Sequence, residues 1–545
     1  MIKKLTQALL ALALVGGMSA CTKSMNEVDE GTTSATGDTY MSVTFSTANP
    51  NSTRADEVKE DPNFNSIGEF IGRDKIENVK VYVIDGKTEA VTKRTFTTVT
   101  DVSDNNTDTK AYRTEAWKTT PGEKIVYVYV NIVGTPMEGT LDAATSKTAF
   151  EEAAKAPYAL TKDGAVLETI AKVEENGQDK KDIIAMAPIK PEPLNVTAGV
   201  TKDEAEAKTK PFAQAKNCVQ VSVRRLVAQA AVTAKAGEFS ITENRGGAEK
   251  ALAKLTDLQW DVMQFEKTTY LAAQPTEAGK DAMLAMYCKS PSFGFVTDDN
   301  TYAFTKAADH YEYREFTGAK VETFTRSTNT NSVEKNKEDV TNIVKNTMKF
   351  ITETTHQYGG KLAKDGGTGT ETGYRKGNTT YVIVSAKISP ADAAWAEGEK
   401  DTYQDNGDLY FGVQDHKFYA SLEKARKANK SSALPGEPDA KDAPDNVIKY
   451  TGGICYYVAW LNPNTATAGE PIVSPILRNN IYHVNITGMK RLGYSGNPFN
   501  PGGDNPKDPD DPTPDPKETL YPIDTYMAVE INVVNWGVHS YDHEF

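Results

Sequence analysis

An all-β fold with a few short helices, gathered into two β-sandwich domains, is what this 545-residue sequence predicts. Three observations carry that reading. Short runs that alternate or stay apolar, rich in Val, Ile, Tyr and Phe, recur along the chain, as half-buried or fully buried strands do. Turn pairs such as Asp85-Gly86, Asn406-Gly407 and Gly452-Gly453 punctuate them. Helical periodicity is weak and local. Domains usually hold ~100 to 200 residues, so the length calls for at least two cores, and 25 Tyr with 18 Phe supply the apolar surface. With 61 Lys+Arg against 75 Asp+Glu, the net charge is −14. No long basic run is present to neutralise phosphates, which argues against a nucleic-acid partner.

Taken in order, residues 1–21 read as an export signal. Lys3 and Lys4 give the positive start, Leu5 to Val15 the apolar stretch, and small residues precede Cys21. Met18-Ser19-Ala20-Cys21 is similar to a lipobox, so Cys21 is the expected lipidation site and any membrane attachment of the precursor is through lipid. The remaining Cys218, Cys288 and Cys455 are an odd number, and Cys218 and Cys455 fall in strand-like runs where a thiol acts as a small buried apolar group. Strands are expected at 39–47, 76–84, 124–132, 217–234, 255–265, 380–388, 408–420, 448–460 and 480–492. Short helices are expected at 202–209, 391–400 and 421–429. The Gly/Thr-rich stretch 364–376 precedes a strand rather than joining a strand to a helix, so it fails the context of a nucleotide-binding loop.

Residues 496–522 change character, with eight prolines from Pro498 to Pro522 and a run of aspartates. Such a segment buries no core. It reads as a stiff tether reaching up to roughly 80 Å at ~3.1 Å per residue. An apolar strand pattern follows at 523–545, with no evident partner in its own domain, and a bulge or a second contact is expected near Asn535.

The most informative feature is a repeat. Thr39-Tyr40-Met41-Ser42-Val43-Thr44-Phe45 recurs as Thr525-Tyr526-Met527-Ala528-Val529-Glu530-Ile531. Strand side chains alternate faces, so Met41, Val43 and Phe45 would fill one row of pockets, and Met527, Val529 and Ile531 the same row, with Val533 and Trp536 continuing the apolar content. The first copy reads as a temporary plug and the second as a donor strand. Between them, Arg54-Ala55 lies in the polar stretch Asn49 to Asp56. A cut after Arg54 removes Cys21 and the plug together, leaving an open edge that a neighbouring molecule's terminal strand can fill. Because donor and acceptor surfaces differ, the contact repeats without closing, and a filament follows.

These residues resemble the fimbrillins of the Bacteroidia, the type V pilins, most closely the major fimbrillins of short fimbriae. The resemblance rests on Gly377-Asn378-Thr379-Thr380-Tyr381-Val382-Ile383-Val384, on Tyr456-Tyr457-Val458-Ala459-Trp460-Leu461-Asn462-Pro463, on Arg478-Asn479-Asn480-Ile481-Tyr482-His483-Val484, on Leu492-Gly493-Tyr494, and on the tail Val534-Asn535-Trp536-Gly537-Val538-His539-Ser540-Tyr541. It implies two transthyretin-like β-sandwiches and an exported outer-membrane lipoprotein precursor. It also implies cleavage by an Arg-specific protease at the position matching Arg54, and an extracellular fimbria supporting adhesion and biofilm formation. Anchor and tip subunits and host or bacterial surface receptors would be its partners. The expected segments are 1–21 signal, 22–54 propeptide, 55–270 and 271–495 sandwiches, 496–522 linker and 523–545 donor.

No enzyme, cofactor or metal site assembles from the sequence. The six histidines are scattered, with no zinc spacing, and His483 reads as a packed strand residue. Asp405-Asn406-Gly407-Asp408 lacks the rest of a calcium loop and reads as a turn. Two other readings share part of this pattern: a minor or tip fimbrial adhesin, and a monomeric glycan-binding surface lipoprotein that keeps Cys21 when mature.

Overall fold

A computed structural model describes residues 38–47, 64–70, 73–102, 111–207 and 215–274, 288–293, 309–324, 343, 348–356, 372–429, 446–463, 473–499, 519–520 and 527–536, with breaks of one or two residues inside some of these. Strands dominate and the helices are short, as the sequence predicts. Cys21, Arg54, Ala55 and most of the Pro/Asp-rich tether lie outside the described residues; its described ends depart from the expectation that the segment buries no core, since Phe499 and Leu520 are buried with Tyr381 and Trp460.

The first half is a ten-stranded sheet. Its order runs Val91–Phe96, Val79–Asp85, Gly122–Val130, Met186–Pro188, Cys218–Arg225, Thr39–Thr47, Ala111–Arg113, Thr100–Asp101, with Glu192–Val196 and Trp117–Thr119 attached at the side. Alternation dictates its inner face: Val79, Val81 and Val83, Val126, Val128 and Val130, and Val219, Val221 and Val223 gather in one buried cluster. Strands several places apart meet there, so the sheet curls over on itself, and Phe96 near one end packs on Trp117 beyond the first strand at 5.4 Å between ring centroids.

On the outer face, Tyr82 and Tyr127 pack against Phe150 of the helix Lys147–Lys155, each at 4.8 Å. Lys80 pairs with Glu138 and Asp142 of the preceding helix, Pro136–Ala143. These two helices lie where the sequence reading expects none, although Pro136 at a first turn and Ser146, whose Oγ accepts from Ala149 N at 3.3 Å, are ordinary helix starts.

The second half sets two sheets face to face. One is ordered Phe64–Phe70, Met527–Trp536, Asn480–Met489, Val227–Ala234, Glu322–Thr323, and the other Phe239–Arg245, Ala248–Met263, Tyr381–Pro390, Ile454–Trp460. The run expected as one strand at 217–234 is two strands in two different sheets. Leu226 N donates to Ala185 O at 3.0 Å, turning the chain from one sheet to the other. Arg225, fully buried, pins that crossing: its Nε donates to Asp74 and its Nη1 to Asn479, both at 2.9 Å. Sheet membership changes at Leu226, and Val227–Ala234 and Ala248–Met263 build the centre of the second half.

Further on, the expected 448–460 run divides at Gly452 and Gly453, both at positive φ (63° and 69°), into Val447–Tyr450 and Ile454–Trp460. The 405–408 segment is a turn, with Lys387 Nζ donating to Asp405 and Asn406. Among the described residues no cluster of His, Cys, Asp or Glu suited to a metal ion occurs. His483 is packed as expected, fully buried against Phe324 and 2.7 Å from Thr233 Oγ1, and burial pushes it down to about 3.

Inside this half, Glu266 is buried, taking hydrogen bonds from Ser290 Oγ and Ser292 N, and burial pushes its carboxyl up to about 8. The folded state thus holds a proton that the unfolded chain releases near 4.5. Its contribution to stability is complete below pH 4.5 and is lost as pH rises through about 8. Glu266→Gln is expected to flatten that fall, on the order of a few kcal/mol; urea midpoints at pH 5 and pH 8, compared for both chains, measure it.

Candidate functional site: a strand slot and a self-docked tail

The first strand, Thr39–Thr47, sits inside the ten-stranded sheet rather than at its border. It runs parallel to Cys218–Arg225, with Ser42 opposite Cys218 and Thr47 opposite Val223. On the other side it is antiparallel to Ala111–Arg113 and Trp117–Thr119, with Thr44 opposite Arg113, Phe45 opposite Tyr112 and Met41 opposite Trp117. Between these two short partners, Thr114 N donates to Val43 O at 2.9 Å, and its Oγ1 accepts from Val43 N at 3.1 Å.

The alternation read from sequence is realised in three dimensions. Met41, Val43 and Phe45 all enter the inner core at 1% exposure or less, and Phe45 stacks on Tyr112 at 5.7 Å. Burying three such side chains is worth on the order of 5 to 9 kcal/mol gross. The reverse face is sealed as well. Ser42 Oγ donates to Ala205 O at 2.6 Å, Thr44 Oγ1 lies 3.5 Å from Cys218 Sγ, and Asn217 Nδ2 donates to Tyr40 O at 3.0 Å. Ala205 is held in place by the Lys202–Glu206 helix, whose start carries reciprocal bonds between Thr201 and Glu204. Withdrawing this strand would open a slot with two unpaired edges, three apolar pockets and an uncovered Cys218.

The terminal strand, Met527–Trp536, is seated elsewhere, and this corrects the expectation that it has no evident partner in its own domain. It is antiparallel to Asn480–Met489, from Asn480 opposite Asn535 to Met489 opposite Met527, and pairs in parallel with Phe64–Phe70. The reason is non-local. Asn480–Met489 is apolar enough to be flanked on both sides, by Val227–Ala234 and by this strand. Met527 is buried and Val529 packs half-buried against the core. The side chains of Ile531, Val533 and Trp536 lie outside the described residues. One register shift falls at Thr487, between Ile486 and Gly488 of the partner strand, and a second lies beside Asn535, where the pairing with Phe64–Phe70 jumps from Phe64 opposite Val533 to Glu69 opposite Asn535.

Sequence reasoning did not single out the slot walls: Arg113, Ala205, Asn217 and Cys218. The strand-like run around Cys218 and the short helix expected at 202–209, which contains Ala205, gave the signs of them. Cys218, Cys288 and Cys455 are all buried and join no disulfide among the described residues, and for Cys218 and Cys455 burial is what their strand-like runs predict.

Comparison with known proteins supplies the family. The model described as "Major fimbrial subunit protein type IV, Fimbrillin, C-terminal" matches residues 448–542, which include the resemblance motifs from Tyr456 through the terminal strand. Two proteins of Porphyromonas gingivalis, each named Minor fimbrium subunit Mfa1, are 34% identical over 573 aligned residues, spanning 99% of this chain and 100% of theirs. The solved structure of the tip fimbrial protein Mfa3 of the same organism, truncated at its C-terminus, aligns over 92% of this chain and 100% of its own at 10% identity, with a TM-score of 0.32. That likeness is too distant to add weight, and the two full-length relatives carry the assignment. They are fimbrial subunits and not enzymes. Full-length identity to them, together with the matched C-terminal region, makes this chain a member of the fimbrillin family of fimbrial subunits.

Proposed function

We propose that the chain is the shaft-building structural subunit of a cell-surface fimbria and that it polymerises by protease-triggered strand exchange. In this reading the precursor is exported, lipidated at Cys21 and held at the outer membrane. An Arg-specific protease cuts between Arg54 and Ala55, the 22–54 propeptide leaves with the lipid, and residues 523–545 of a neighbour enter the slot that Thr39–Thr47 vacates. The fibre is extracellular, joins anchor and tip subunits, and supports adhesion and biofilm formation through surface receptors. The observation that carries the reading is the pairing of a sealed internal slot with a second copy, in the same order, of the peptide that fills it.

The need for a cut follows from effective concentration. While the plug is covalently attached it faces its slot at a local concentration in the millimolar range, as a short linker gives, and a neighbour's strand at micromolar levels does not compete. Once cut, the plug is a free peptide that dilutes away. The tail must then leave its own seat beside Asn480–Met489. In the seat it is paired with Asn480–Met489 on one edge and with Phe64–Phe70 on the other, and in the slot it would again be paired on both edges, so exchange releases one set of ladders and forms another.

Cys218 reports the exchange. Its thiol lies 3.5 Å from Thr44 Oγ1 under the plug, whereas Cys288 and Cys455 are buried in the second half, with burial pushing their thiols up to about 12 and about 11. In the precursor all three are expected to resist iodoacetamide. In processed monomer Cys218 alone is expected to react, at least ~10-fold faster than before cleavage given the access rule for thiols, and in the polymer it is protected again. Peptide mass spectrometry reads the three states. Unchanged protection of Cys218 after cleavage would count against departure of the plug.

A further inference from the structure

We propose that Glu530 of an incoming strand forms an ion pair with Arg113 of the subunit that receives it, and that this pair makes the slot prefer the terminal strand over the first strand. The inference rests on the strand-exchange reading and adds to it a residue that selects the occupant.

Placing the second copy of the repeat in the register of the first sets Met527 at Met41, Ala528 at Ser42, Val529 at Val43, Glu530 at Thr44 and Ile531 at Phe45. Two of these exchanges weaken the newcomer. Ala528 gives up the bond from Ser42 Oγ to Ala205 O, and Ile531 gives up the stack of Phe45 on Tyr112. Each loss is worth roughly a fewfold in affinity. Met527 and Val529 repeat the residues they replace and shift nothing. Among these five positions one remains that could favour the terminal strand, and it introduces a charge.

That position is specific. Thr44 is fully buried and stands directly opposite Arg113 in the antiparallel ladder, and Arg113 is itself 9% exposed. Residues directly opposite in such a ladder share a face with Cβ atoms about 4.5 to 5.5 Å apart, so the longer Glu530 side chain reaches the guanidinium of Arg113 in the geometry favoured by carboxylate–arginine pairs. Without a cation opposite, a carboxylate at the site of a fully buried threonine would be strongly unfavourable. The plug places a neutral residue, Thr44, opposite Arg113. The same residue thus admits the donor and ranks it above the strand it displaces.

Charge reversal tests the pair in full-length precursors. Wild type, Arg113→Glu, Glu530→Arg and the double variant are each cut with an Arg-specific protease, and conversion of cut monomer to polymer is followed by light scattering and size-exclusion chromatography. Each single variant is expected to polymerise at least ~10-fold more slowly, and the double variant, which restores opposite charges between neighbours, to return to within about threefold of wild type. A double variant as slow as the product of the two single defects overturns the ion pair while leaving strand exchange in place. A wild-type chain that is cut and forms no polymer overturns both. Should Arg113→Glu precursor prove protease-sensitive throughout, Glu530→Gln, which leaves its own slot intact, decides: a severalfold slower conversion supports the pair, and an unchanged rate removes it.

Discussion

An Arg54→Ala chain is expected to be exported and lipidated yet to remain uncut, with no protease-dependent polymer. The effect is all-or-none because the barrier it preserves is topological. The plug is paired on both edges, to Cys218–Arg225 and to Ala111–Arg113 with Trp117–Thr119, and its three inward side chains are fully buried. Spontaneous opening of such a strand costs several kcal/mol, and a tethered strand recloses before a neighbour at micromolar concentration arrives. Immunoblotting for the uncut chain and electron microscopy for fibres, side by side with wild type, check it. Abundant fibres built from uncut chain would contradict the role given to Arg54.

Deleting residues 523–545 is expected to give a processed, folded monomer that does not polymerise. Here the structure changes what accompanies that result. Because the terminal strand docks on Asn480–Met489 and buries Met527, the truncated chain is expected to be less stable by about 2 to 4 kcal/mol, one buried methionine and part of a ladder. Urea unfolding of the full-length and truncated chains, side by side, measures it. The bared edge also invites non-specific pairing, so aggregates that form without protease are a different species from fibres that require it. Protease-triggered fibres of ordinary length from the truncated chain would contradict the donor role.

How much of this was legible in the sequence follows from which information is local. The inward row Met41, Val43 and Phe45 was legible because a strand's faces alternate with period two, whatever it pairs with. The division at Gly452-Gly453 was half legible: the glycine pair reads as a turn, yet the apolar content on both sides reads as one run over 448–460. The division at Leu226 was not, since Arg225-Leu226-Val227 contains no turn residue and the chain changes sheets through a buried arginine and one backbone hydrogen bond. The seat of the terminal strand was also hidden. Which edge of Asn480–Met489 stands open is decided by pairing between residues tens to hundreds of positions apart, and strand patterns do not encode partners. Arg113 was invisible for the same reason: only the ladder places it opposite Thr44, and only then does the difference between Thr44 and Glu530 acquire meaning.

A density map of the processed fibre tests the central claim most directly. The account predicts residues 525–531 of one subunit lying between Cys218–Arg225 and Ala111–Arg113 of the next, with Met527, Val529 and Ile531 in the three pockets now held by Met41, Val43 and Phe45. A fibre in which each terminal strand still lies beside Asn480–Met489 of its own chain, with the slot empty or filled by another segment, would contradict it.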